Sequence, residues 1–166
     1  MTQLNNEEVL RILNEHKKFF ETGKTKNIDF RIQQLRKLRQ SIQVNEESII
    51  AAMYQDLHKS RYEAFTTEIG VVYSSIRLLI KNVKKWAKPQ RVPTPLVFFG
   101  GQSYIYHEPY GTVLIIGPFN YPLNLVLEPL IGAIAAGNCA VIKPSQMTPN
   151  VAKIIAKIVK ESFEED

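Results

Sequence analysis

The stretch from Pro109 to Ile142 constrains this 166-residue chain most: 34 consecutive residues carry one charge, Glu128. An apolar run of that length is either a membrane span or the interior of a folded domain. Pro118, Pro122 and Pro129, with Asn120, Asn124 and Asn138, interrupt it. Proline-broken backbone and bare amides are costly in hydrocarbon, so no membrane span is expected and the run reads as protein interior. Within it, Thr112-Val-Leu-Ile-Ile116 has the β-branched, aliphatic pattern of a strand covered on both faces in a parallel sheet. Gly117-Pro118 ends that strand. Leu123 to Ala136 reads as a buried crossover helix, with Pro122 at its start and Gly137-Asn138 at its C-cap. Cys139-Ala-Val-Ile142 is a second short strand, and Lys143-Pro-Ser-Gln146 is a loop. Thr148-Pro149 supplies an N-cap and first turn for a last helix over 149–163.

This order fixes a geometry. Parallel strands joined by a helix end on the same edge of their sheet. Asn120 follows the first strand and Lys143 the second, so both face one crevice, where open α/β sheets bind ligands.

The first half is helical. Asn6 with Glu7 and Glu8 reads as a helix start, and Val9, Ile12, Leu13, His16, Phe19 and Phe20 trace one face. A second helix begins near Asp29, with Ile32, Leu35, Leu38 and Ile42 as its apolar stripe. Asn45 caps a further set of turns containing Ile49, Ile50 and Met53. A long helix follows, its stripe running through Phe65, Ile69, Val72, Ile76, Leu79, Val83 and Trp86 at alternating steps of four and three. After Lys88-Pro89, residues 94–107 read as a projecting strand pair, Leu96 to Phe99 and Ser103 to Tyr106, turning at Gly100-Gly101.

Composition excludes several classes. The chain is 45% hydrophobic and 22% charged, which suits one soluble domain with a core. Cys139 is the only cysteine, and His16, His58 and His107 are far apart, so neither a disulfide nor a metal site is expected. The polar N-terminus lacks an export signal, and the cytoplasm is the expected compartment. Net charge is +5, with the basic excess densest from Lys24 to Arg39. That stripe reads as a solvated helix face. With only Phe30 interleaved it offers no base-stacking platform, and no nucleic-acid partner is expected.

The polar groups at the crevice are the site candidates. The Asn120 amide could stabilise an oxyanion, a contribution of about 2.7–4 kcal/mol in rate terms, or it could be a turn asparagine bonding its own backbone. Lys143 could hold a ribose or phosphate, or be a solvated strand-end charge. Gln146 could bond sugar hydroxyls, or be a surface loop residue. Cys139 sits in an apolar strand where burial raises a thiol pKa, and it is expected to be structural. No G-x-G-x-x-G, phosphate-binding loop or G-x-S-x-G occurs.

At these residues the sequence resembles a known family. Glu108-Pro-Tyr-Gly-Thr-Val-Leu-Ile-Ile-Gly-Pro-Phe-Asn-Tyr-Pro-Leu123, then Gly132-Ala-Ile-Ala-Ala-Gly-Asn138 and Lys143-Pro-Ser-Gln146, closely resembles the aldehyde dehydrogenase superfamily. Phe30-Arg-Ile-Gln-Gln-Leu35 and Asp56-Leu-His-Lys59 look like its class 3-type branch, whose members are often dimers. The resemblance runs from about Phe19 to the C-terminus. It implies an α/β fold: N-terminal helices over 1–90, a projecting oligomerisation hairpin over 91–108, and the first β-α-β-α unit of a Rossmann-like parallel sheet over 109–166.

The resemblance also assigns roles. Asn120 would hold the aldehyde oxygen during attack by a cysteine thiolate, which forms a thiohemiacetal on the way to a carboxylic acid. Ile116, Gly117, Pro118 and Phe119 would line the nicotinamide side of NAD or NADP. Lys143, Ser145 and Gln146 would hold the adenosine ribose. The family usually has Glu where Gln146 stands. An amide does not repel a 2′-phosphate as a carboxylate does, so tolerance of NADP as well as NAD is expected. The family's nucleophilic cysteine, general-base glutamate and glycine-rich turn come later in its sequences and have no counterpart here. The chain is therefore expected to be an N-terminal portion, an incomplete domain inactive alone, that self-associates or pairs with the missing portion. The alternative is a non-catalytic relic or interaction module that pairs with a full-length subunit.

Overall fold

The computed structural model describes residues 5–163, leaving Met1 to Leu4 and the acidic Glu164-Glu165-Asp166 end outside the described residues. Helix α1 spans Asn6–Glu21. Its cap is Asn5, one residue earlier than the sequence suggests. The Asn5 side chain accepts from the Glu8 N–H at 2.8 Å, and the Glu8 carboxylate accepts from the Asn5 N–H at 2.9 Å. No α1 residue is buried.

Helix α2 (Ile28–Val44) is the centre of the core, packed against helices α5 (Gly70–Trp86), α6 (Asn124–Ala136) and α7 (Pro149–Ser162). Its predicted stripe of Ile32, Leu35, Leu38 and Ile42 is buried. Helix α3 (Glu46–Leu57) packs on α7 and buries Ile49, Ile50 and Met53.

The basic stripe departs from expectation at Arg31, which is buried. Its guanidinium donates to the carbonyls of Thr25 at 2.7 Å, Lys26 at 3.2 Å and Ala135 at 3.1 Å. Three carbonyl acceptors make its burial tolerable and tie the start of α2 to the end of α6.

The long helix also differs in detail. It is α4 (Arg61–Ala64), a π turn over Phe65–Ile69, then α5. The wide turn adds a residue and shifts the helical phase. Phe65 is thereby left exposed, whereas Ala64, Glu68 and Ile69 are buried. Trp86, at the far end of the stripe, is exposed too.

The hairpin pairs strand β1 (Gln90–Val92) antiparallel with β2 (Ser103–Ile105). Leu96–Phe98 is a 3-10 turn, which corrects the expectation of a strand at Leu96 to Phe99. Pro93 and Pro95 lack the N–H that a ladder needs, so pairing stops before them.

Strands β3 (Thr112–Ile116) and β4 (Cys139–Lys143) pair in parallel, with α6 as their crossover. The β3 strand is not covered on both faces as expected. Ile115 is buried in the core, whereas Leu114 and Ile116 are each 63% exposed on the other face. Alternate residues of a strand point to opposite faces, and the described helices cover one of them at these positions.

Candidate cofactor and aldehyde edge

The parallel register sets the site. Ile116 pairs with Lys143, and the Gly117 N–H donates to the Lys143 carbonyl at 3.0 Å. Both strands therefore end on one rim, and the Asn120 and Lys143 loops leave it together. Gly117 lies where β3 meets α6. A Cβ there would sit 2.1 Å from Val126 Cγ2, so only glycine permits this approach.

Asn120 is exposed, and among the described residues its side-chain amide makes no hydrogen bond. It is therefore not a turn asparagine bonded to its own backbone. Its main chain is held instead. The Lys59 ammonium donates to the Asn120 carbonyl at 3.0 Å and lies 4.2 Å from the centre of the Tyr121 ring. Lys59 is also paired with Glu68 at 2.5 Å, and both side chains are buried. The other Glu68 oxygen accepts from the N–H groups of Leu123 at 2.9 Å and Asn124 at 3.2 Å, the start of α6. A carboxylate there satisfies orphan donors and sits at the positive end of the helix dipole.

The second loop is built in the same way. Lys143 and Gln146 are exposed, and Ser145 is half-buried. The Ser145 hydroxyl accepts from the Met147 N–H at 3.2 Å, which closes the turn. Thr148 precedes α7 but does not cap it through its side chain, contrary to expectation. Among the described residues its hydroxyl is buried without a partner, and Asp56 of α3 takes the cap. The Asp56 carboxylate accepts from the Asn150 and Val151 N–H groups at 2.9 Å each and from the Asn150 side chain at 2.7 Å.

Cys139 opens β4, four residues before Lys143, about 13 Å away at strand rise. Burial pushes its thiol pKa up. It lies at the opposite end of the sheet from Asn120.

The aldehyde dehydrogenase family profile matches residues 1–165.

The chain belongs to the aldehyde dehydrogenase family.

It is 54% identical over 150 residues to the 4,4'-diaponeurosporen-aldehyde dehydrogenase of Staphylococcus aureus, a match covering 90% of this chain and 33% of that protein. It is 40% identical over 147 residues to the dimeric NADP-preferring aldehyde dehydrogenase of Canis lupus familiaris, covering 89% of this chain and 32% of that protein. Among solved structures, substrate-bound Staphylococcus aureus AldH superposes with a TM-score of 0.92 at 51% identity, covering 97% of this chain and 35% of that one. The succinic semialdehyde dehydrogenase of Streptococcus pyogenes with NADP+ gives 0.85 at 16% identity, over 99% of this chain and 35% of that one, a likeness of fold. The chain spans about a third of the length of the curated relatives it matches.

At the rim Ile116 and Phe119 present exposed apolar surface, and Lys143 and Gln146 present exposed hydrogen-bonding groups, a mixture that would suit a ring and the hydroxyls of a dinucleotide. Of the described residues around this rim, sequence reasoning finds Asn120 and the Lys143 loop but misses Glu68, Lys59 and Asp56 as their supports. The motif Asp56-Leu-His-Lys59 is the one signal that could have pointed to two of them.

Proposed function

We propose that this chain supplies the aldehyde-holding amide and the cofactor edge of an NAD- or NADP-dependent aldehyde dehydrogenase that oxidises an aldehyde to a carboxylic acid. The observation that carries the reading is Asn120: an unengaged amide at the common rim, on a backbone fixed by a buried lysine. Its N–H groups are free to donate to an aldehyde oxygen as negative charge builds there. Ile116, Gly117, Pro118 and Phe119 line one side of the nicotinamide site. Lys143 and Gln146 bond the adenosine ribose, with Ser145 closing their turn. A dinucleotide held there would supply the hydride acceptor for the oxidation. Cys139 is not the attacking thiolate, because it lies at the opposite end of β4 from Asn120 and burial raises its pKa; the thiolate would come from the part of the family's length that this chain does not span.

The test joins this chain in frame to the remaining two thirds of the 54%-identical Staphylococcus aureus relative. Nicotinamide reduction is followed with an aldehyde and each cofactor. Oxidation with both NAD and NADP is expected, because Gln146 places no carboxylate against a 2′-phosphate. A soluble, folded fusion without aldehyde-dependent reduction contradicts the reading.

A second reading has the chain pairing subunits through its hairpin. It is favoured by Leu96, Val97 and Phe99, which are 90%, 82% and 95% exposed. The two readings are compatible, since the cofactor edge and the hairpin use different residues.

A further inference from the structure

We infer that Glu68 and Asp56 are positioning residues for two separable functions, Glu68 with Lys59 setting the Asn120 amide and Asp56 setting the Lys143 loop. This rests on the function proposed above and adds which residues outside the rim tune each half of it.

The two arrangements are parallel in design. Each loop of the rim runs from a strand end into a helix N-terminus. At each N-terminus a carboxylate from the N-terminal helices accepts two consecutive backbone N–H groups. Glu68 reaches α6 from the π turn, and Asp56 reaches α7 from α3. The α6 arrangement has an additional member. Lys59 bridges from Glu68 to the Asn120 carbonyl, so the loop is gripped at Asn120, Leu123 and Asn124. Among the described residues the α7 clamp makes no hydrogen bond to Asn120.

The π turn has a purpose in this scheme. It brings Glu68 and Ile69 into the core side by side, the first for the clamp and the second for packing. A buried lysine and carboxylate are expensive to desolvate, and this pair is compensated by three backbone partners. Such a pair adds little stability over apolar side chains but fixes one geometry for the groups it holds. Misplacing a reacting group by about 1 Å can cost about 10²-fold in rate.

The clamps also occupy both helix N-termini. These are the sites where a phosphate would otherwise find free N–H groups. Lys143 and Gln146 are thus left to meet the sugar end of the dinucleotide, with its pyrophosphate placed elsewhere.

The experiment uses the full chain fused to the catalytic remainder of the relative, comparing Glu68→Gln with Asp56→Asn. Glu68→Gln is expected to lower kcat at least tenfold, with the KM for NADP changed less than about threefold. Asp56→Asn is expected to raise the KM for NADP, with kcat changed less than about threefold. Should Glu68→Gln fail to fold, the double variant Lys59→Met/Glu68→Gln leaves no lone buried charge. It is expected to show the kcat loss as well, because it removes both the Lys59 donor to the Asn120 carbonyl and the Glu68 carboxylate at Leu123 and Asn124. In parallel, hydrogen exchange is expected to quicken at Leu123 and Asn124 in Glu68→Gln, and at Asn150 and Val151 in Asp56→Asn. If both single variants shift kcat and KM together in proportion to lost stability, the roles are merely structural and the inference fails. It also fails if Glu68→Gln, or the double variant, leaves kcat within twofold of wild type. An inactive wild-type fusion sinks the proposed function itself, and this inference with it.

Discussion

Gly117 shows how single residues shape the rim. Its missing Cβ lets α6 approach the end of β3, where any side chain would meet Val126 Cγ2 at 2.1 Å. Gly117→Ala is therefore expected to lower stability by roughly 1–3 kcal/mol, the usual cost of overpacking. Adding Val126→Ala removes the clashing methyl and should recover part of that loss. Thermal unfolding of the single and double variants checks this, and strict additivity of the two losses would contradict it. At this scale the sequence shows Asn120 and Lys143 plainly, because their place follows from where two apolar runs stop. It does not show Arg31 or Glu68. A charge on an amphipathic helix reads as solvated, and only the distant carbonyl and amide partners reveal otherwise. Glu68 is 55 residues from the Leu123 N–H it holds, and nothing local marks that pairing.

Among the elements, α2 and α7 are joined by a polar latch beside their apolar contact. The Glu161 carboxylate accepts from the Asn45 side chain at 2.7 Å and from the Ser41 hydroxyl at 3.0 Å. The hydrogen bond from Asn45, then that from Ser41, holds its carboxyl below the ordinary 4.5. A lowered folded-state pKa gives stability that is present above the unfolded value and lost as pH falls through the folded one. The unfolding temperature of the wild type should therefore drop more steeply than that of Glu161→Ala as pH falls below about 4.5. Parallel curves for the two proteins would contradict the latch. The helices and the parallel strand pair are legible from periodicity, which depends only on neighbours in sequence. The π turn, the 3-10 turn at Leu96–Phe98 and the open face of β3 are not. Each depends on what another segment does: Glu68 reaching α6, β2 pairing with Gln90–Val92, and helices covering one side of the sheet at Leu114 and Ile116.

For the molecule as a whole, apolar surface is concentrated in two places. One is the hairpin and its flank, where Leu96, Phe99 and Tyr110 are each at least 90% exposed. The other is the open face of β3, with Leu114 and Ile116. Exposed apolar patches of this kind favour association. The chain by itself is expected to run larger than a monomer on gel filtration, and Leu96→Asp/Phe99→Asp to shift it toward the monomer. A monodisperse wild-type monomer that binds no hydrophobic dye would contradict this. Among the described residues no helix is long and apolar enough to cross a membrane.

The proposed function depends most on the Asn120 amide, which would act on the aldehyde oxygen from the rim that would hold the cofactor. The most direct measurement is kcat for Asn120→Ala in the fusion with the catalytic remainder. Loss of one oxyanion donor predicts a fall of about 10²- to 10³-fold in kcat, with the KM for NADP nearly unchanged. A kcat within twofold of the wild-type fusion would contradict the account.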